Sequence, residues 1–163
     1  MRIAITGSSR LAAEFTNADY YRIDDDIDFD QYDVFINHAH REFDQVYLLE
    51  KVVKKWFDDP TKLIINISSR ASQPNISKGF MYAAQKAALD HYADNLTYNS
   101  SKKCRITTLN LGLLASDLPS CTFSEVYDMI CYIMNLPQHL EIQRLYMQHS
   151  ENYQSVQQRK ENV

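Results

Sequence analysis

Short apolar runs alternate along this chain with stretches whose apolar residues recur every three or four positions. That alternation predicts strands and helices in turn. Residues 2–6, 20–23, 33–37, 63–67, 106–111 and 142–147 read as strands, and the run at 63–67 is of the kind buried at a sheet centre. A brief helix is expected at 11–15 and longer ones at 43–57, 81–99 and 123–136. Val46, Leu49, Val52, Val53 and Trp56 form one helical stripe, and Ala84, Ala88, Tyr92 and Leu96 another. Pro60 stops the first of these helices, while Ser124 is the expected N-cap of the last and Pro137 lies past its end. The βαβα rhythm predicts an α/β fold, a parallel sheet of about six strands with helices on both faces. Right-handed crossovers give the strand order 2-1-3-4-5-6. Residues 1–149 read as one domain, and residues 150–163 as a polar, frayed tail.

Composition narrows the class. The 163 residues are 45% hydrophobic and 23% charged, as in a globular protein with a single core. A formal net charge of −4 argues against nucleic acid and membrane surfaces as partners. Lys51, Lys54 and Lys55 read as a solvated helix face. No run approaches the roughly eighteen apolar residues of a bilayer span, and the start lacks the apolar core and cleavage site of a secretory leader. Cys104, Cys121 and Cys131 have no metal-binding or redox spacing, so they read as reduced thiols in a cytoplasmic protein. The 3 glycines are few beside the roughly eleven of average usage.

Three places could carry chemistry. Thr6, Gly7, Ser8, Ser9 and Arg10 follow the first strand and lead into a helix, where free N–H groups and the positive helix end suit a pyrophosphate. A bare structural turn is as common. Tyr82 and Lys86, four apart on one helix, would set an ammonium beside a phenol. An ordinary surface pair has that spacing too. Ser68 and Ser69 end the apolar strand at the sheet's carboxyl edge, where a hydroxyl can meet a ligand or simply begin a turn. His38 and His40 lack further ligands at workable spacing, and no metal is expected.

Taken together, ITGSSR, INHAH, IINISSRAS, YAAQKAALDHYADNL, LNLGLLASDL, FSEVYDMICYIMNLP and EIQRLYM resemble, in order and spacing, the motifs of the short-chain dehydrogenase/reductase family. The resemblance runs over residues 2–149 and implies a Rossmann-type doubly wound sheet. It implies an NAD(P)(H)-dependent oxidoreductase that reduces a small carbonyl compound, or oxidises the alcohol, by hydride transfer. Tyr82 would be the proton donor, Lys86 would lower its pKa and hold the nicotinamide ribose, and Ser69 would polarise the carbonyl. Cofactor contacts would fall to Gly7, Ser9, Arg10, Leu11, Asp24, Asp26, Ile27, Asn37, Ala39, Lys86, Gly112 and Ser116. Ser9 and Arg10 tilt the choice slightly to NADP, against Asp24 for NAD. The resemblance also implies a homodimer or homotetramer through the two central helices, whose Tyr47, Trp56, Tyr92 and Tyr98 would mark exposed faces.

The chain departs from the family at named positions. Leu11 and Ala13 replace glycines of the nucleotide turn, His40 the glycine of the Asn-Asn-Ala-Gly motif, and Leu111 a proline. The family's catalytic asparagine has no evident counterpart, Asp44 standing nearest in register. These losses keep alive a non-catalytic Rossmann domain that binds a nucleotide or a protein partner. An epimerase or dehydratase of the extended branch ranks third, since such enzymes carry a further substrate domain.

Overall fold

The computed structural model describes residues 1–74 and 79–151; part of the polar loop and all but the start of the polar tail lie outside them. Six strands form one sheet: β1 (Ile3–Thr6), β2 (Asp19–Tyr21), β3 (Val34–Asn37), β4 (Leu63–Ser69), β5 (Arg105–Leu111) and β6 (Arg144–Met147). All pairings are parallel, in the order β2-β1-β3-β4-β5-β6. The expected topology is the one found. Strand β4 lies between β3 and β5 and pairs with β5 from Leu63↔Arg105 to Ser69↔Leu111, which accounts for its near-continuous burial.

Side chains alternate across the sheet and so build two cores. Ile3, Ile5, Ile36, Leu63, Ile65 and Leu109 face one side, covered by α3 (Phe123–Met134) and a 3₁₀ turn at Arg10–Glu14. Ala4, Phe35, Ile64 and Ile106 face the other, covered by α1 (Asp44–Trp56) and α2 (Phe80–Asn99). Between β2 and β3 the chain makes only a 3₁₀ turn, Phe29–Gln31. The acidic loop around it is tied to the lysine face of α1, with Lys51 reaching Asp26 at 2.6 Å and Lys55 reaching Asp30 at 2.7 Å. Among the described residues no helix is long and apolar enough to cross a membrane.

Four local expectations change. The N-cap of α3 is Thr122, not Ser124: Thr122 accepts from the Glu125 N–H while Glu125 accepts from the Thr122 N–H, a reciprocal pair that only this register closes. Trp56 is no surface aromatic; it is 2% exposed, and its indole N–H donates to the Phe29 carbonyl at 3.2 Å. Ile27 likewise packs into the core with Phe29, leaving it no surface for a ligand. Helix α2 is rotated from the alanine stripe, burying Lys86, Leu89, Asp90 and Ala93 and leaving Ala84 exposed. Two of those four buried residues are charged, and the strands facing them supply polar partners.

Candidate active site

The carboxyl ends of β1, β3, β4 and β5 open into a cavity of about 690 Å³, the crevice where parallel α/β sheets receive ligands. Arg10 and Leu11 line it after β1, Ala39 and His40 after β3, Ser69 at the end of β4, and Gly112 after β5. Tyr82 and Lys86 close the side formed by α2, and Phe123 at the start of α3 closes another. Backbone geometry at the rim is unusual. Gly7 has φ +91, and a Cβ there would meet His38 Nδ1 at 2.9 Å. A Cβ on Gly112 would stand 2.7 Å from that of Gln148. Arg10 (φ 55) and Ala115 (φ 44) hold left-handed conformations that glycine would adopt without strain.

Ser69 follows the buried β4 run and turns out of the sheet, its Oγ accepting the Ala71 N–H at 3.0 Å. Its hydroxyl draws the nearby Tyr82 phenol pKa down, while burial, the larger effect, pushes it above the usual value. Tyr82 lines the cavity and is 40% exposed overall. Lys86 is only 3% exposed. Its ammonium donates to Gln45 Oε1 at 2.7 Å and to the Ile67 carbonyl at 2.9 Å, 5.7 Å from the centre of the Tyr82 ring. Burial lowers its pKa to about 8, with the Asp90 carboxylate pulling the other way.

Asp44 faces outward and pairs with Arg41 at 2.5 Å, whereas Gln45 points into the sheet. Its amide donates to the Asn37 carbonyl at 2.8 Å and to the Ile67 carbonyl at 3.1 Å, which aims Oε1 at Lys86. His40 stands over the same carbonyl: its Nδ1 lies 3.4 Å from Gln45 Oε1, and its ring meets Tyr82 edge-on at 4.9 Å. Burial first, then the nearby Lys86 ammonium, lowers the His40 pKa. His38 is also pushed down by burial, and its Nδ1 donates to the Thr6 carbonyl at 3.0 Å.

The other expected contacts divide. Leu11 touches the cavity but is 1% exposed, its side chain belonging to the core beside Phe15. Asn37 is buried in the sheet, donating to the Gln45 carbonyl at 2.9 Å, and its Oδ1 has no donor among the described residues. Asp24 pairs with Arg22 at 3.6 Å and Arg41 at 3.4 Å on the surface. Ser116 closes its own loop, its N–H donating to Ser120 Oγ at 3.0 Å. Gly7, Ser9, Asp24, Asp26, Ile27, Asn37 and Ser116 are not among the cavity-lining residues.

No family model matches the chain, and no curated protein matches it in sequence. Solved structures do. The closed form of serine dehydrogenase complexed with NADP+ superposes with a TM-score of 0.71 at 16% identity, over 91% of this chain and 94% of that one. A short-chain dehydrogenase/reductase from Vibrio parahaemolyticus gives 0.69 at 15%, over 89% and 98%. A 4-hydroxyisoleucine dehydrogenase complexed with NADH gives 0.66 at 12%, over 90% and 96%. The fold is that of the short-chain dehydrogenases/reductases. Within this short-chain fold, the polar group that the sequence reading missed is Gln45, buried behind the cavity, while His40, read there as no metal ligand, lines the cavity. The positional signal for Gln45 was present, since it is the residue of the first helical turn that shares the buried side with Leu48, Leu49 and Val52.

Proposed function

We propose that the chain is an NAD(P)(H)-dependent oxidoreductase that reduces a small carbonyl compound, or oxidises the corresponding alcohol, with Ser69, Tyr82 and Lys86 as its catalytic set. The observation that supports this reading is that Ser69, Tyr82 and Lys86 line one cavity at the carboxyl edge of the sheet, with the Ser69 hydroxyl near enough to lower the Tyr82 pKa. The residues present fit a dinucleotide: Arg10, Ala39, Gly112 and Lys86 line one cavity, and Leu11, turned into the core, leaves the first turn open. Ala39, Gly112 and Lys86 would hold the nicotinamide half, and Arg10 the 2′-phosphate. Bound there, the cofactor supplies or accepts the hydride.

The residues do the rest. Ser69, whose hydroxyl rests on Tyr82, can turn to donate to a substrate carbonyl and pull density toward its oxygen. The Tyr82 O–H, adjacent to the same position, gives its proton to that oxygen as charge develops. Two of the three Lys86 N–H donors go to Gln45 and Ile67. The third is available to a ribose hydroxyl, and the positive charge favours the phenolate left behind. For the cofactor, Arg10 at the cavity wall supports a 2′-phosphate and hence NADP over NAD, since Asp24 is engaged by two arginines.

One observation favours the non-catalytic alternative. The chain after β1 makes a 3₁₀ turn rather than an α-helix, which offers a pyrophosphate fewer aligned N–H groups. Titration with NADPH and NADH, with turnover of a panel of small aldehydes and ketones, separates the readings. NADPH is expected to bind the more tightly, and Tyr82→Phe to abolish turnover while leaving cofactor affinity nearly intact. Ser69→Ala is expected to cost less, about 3 kcal/mol of transition-state stabilisation. Equal rates in wild type and Tyr82→Phe would refute the assignment, and absence of cofactor binding would favour the scaffold.

A further inference from the structure

We propose that Asp90, one helical turn beyond Lys86, is the positioning residue that fixes the helix carrying Tyr82 and Lys86 against the strand end carrying Ser69. The proposal rests on the catalytic reading above. Asp90 is 5% exposed and meets polar groups from three strands. The Ser68 hydroxyl on β4 donates to Oδ1 at 2.5 Å, the Asn110 amide on β5 to Oδ2 at 2.7 Å, and Arg144 Nη1 on β6 lies 2.9 Å from Oδ2. Asn110 also lies 3.1 Å from the Ser69 carbonyl and 3.1 Å from Ser72 Oγ, which share its second N–H. Its own carbonyl accepts from Arg144 Nη1 at 2.8 Å, and Arg144 Nη2 donates to Asp94 Oδ1 at 2.7 Å. The Ser69 backbone is thus two hydrogen bonds from a carboxylate that shares a helix face with Lys86.

A leucine at this position would bury more cheaply, because a buried ion pair seldom repays its desolvation. What the polar array provides is direction. Apolar contacts let a helix slide along a sheet, whereas charge-assisted bonds to three strands hold it in register. A displacement of about 1 Å between acid and carbonyl groups is enough to cost catalysis heavily.

The same carboxylate sets the charge balance around Lys86. The charged and titratable groups in this neighbourhood are Tyr82, Asp90 and Asp94 on α2, His38 and His40 after β3, Arg10 after β1 and Arg144 on β6. Asp90→Asn removes a negative charge and leaves Arg144 answered only by Asp94, so the Lys86 ammonium should release its proton at lower pH. Arg144→Met removes a positive charge, so Lys86 should hold its proton to higher pH. General loosening of the core would not move the two variants in opposite directions.

The test is a titration of the full chain, labelled with ¹³C-lysine, following the Lys86 Cε resonance, which is assigned by its loss in Lys86→Gln. Turnover of NADPH with 4-nitrobenzaldehyde as the probe carbonyl is measured in parallel. The expected midpoint shifts are about one pH unit, downward in Asp90→Asn and upward in Arg144→Met, with kcat of Asp90→Asn reduced tenfold or more. An unmoved midpoint, or shifts of the same sign in both, would overturn the proposal. If Asp90→Asn does not fold, Arg144→Met on the edge strand decides alone: a tenfold or greater loss of kcat with NADPH affinity retained supports the proposal, and an unchanged kcat refutes it. A protein that neither binds NADPH nor turns over the probe would remove the oxidoreductase reading, whereas one that binds NADPH and turns the probe over with kcat unchanged in Asp90→Asn would overturn the positioning role alone.

Discussion

Lys86 shows at the level of one residue what a buried charge costs in stability. Its ammonium is nearly out of water, and its pKa falls from 10.5 to about 8 because burial outweighs the help of Asp90. Below pH 8 folded and unfolded chains both carry this proton, and above 10.5 neither does. Between those values the unfolded chain binds the extra proton, so folding stability rises with pH across the window, by about 3 kcal/mol from this residue. In Lys86→Met that rise should be missing. Urea denaturation of wild type and variant at pH 8 and pH 10 measures it, and parallel curves would show that the lysine is not desolvated in solution. The sequence named Tyr82, Lys86 and Ser69 because chemical type and spacing are local properties. Gln45 could be placed on the buried side of α1 from its spacing, but its partner could not, because the Asn37 and Ile67 carbonyls aim its amide.

At the scale of elements, the last helix is set by its first turn. Thr122 and Glu125 satisfy each other's N–H groups, and Phe123 then faces the cavity. Thr122→Ala should cost about 1 kcal/mol of stability. Thermal or denaturant unfolding reads this directly, and a loss below a few tenths would mean the cap is not closed in solution. Helix α1 was legible from its apolar stripe, since Leu49, Val52, Val53 and Trp56 are all buried. Helix α2 was legible in extent but not in orientation. Its buried side includes Lys86 and Asp90, and no apolar periodicity can reveal a face that is buried by virtue of partners on β4, β5 and β6.

For the whole molecule, the sheet leaves α1 and α2 as the cover of one side, with Tyr47 and Tyr98 exposed at 64% and 72%. Large aromatics in such positions favour association. A homodimer or homotetramer is expected, and light scattering at micromolar concentration should return a multiple of the 19.0 kDa chain mass. Tyr47→Glu with Tyr98→Glu should shift that mass toward the monomer without lowering thermal stability below that of a folded domain. A monomeric wild type would contradict the expectation.

The sequence by itself determined the alternation of elements, the strand order and the carboxyl-edge placement of the candidate residues. Side-chain period and chain chirality act locally and leave few topologies open. It also put Ser69, Tyr82 and Lys86 on elements that must meet at that edge. Only the tertiary structure decided which polar groups those elements bury. The acidic loop finds lysines of α1 25 residues away in the chain, and Arg144 reaches Asp94 50 residues back. Ion pairs and buried hydrogen bonds depend on distances of a few ångström between segments far apart in sequence. Packing sets those distances, and no single segment encodes them.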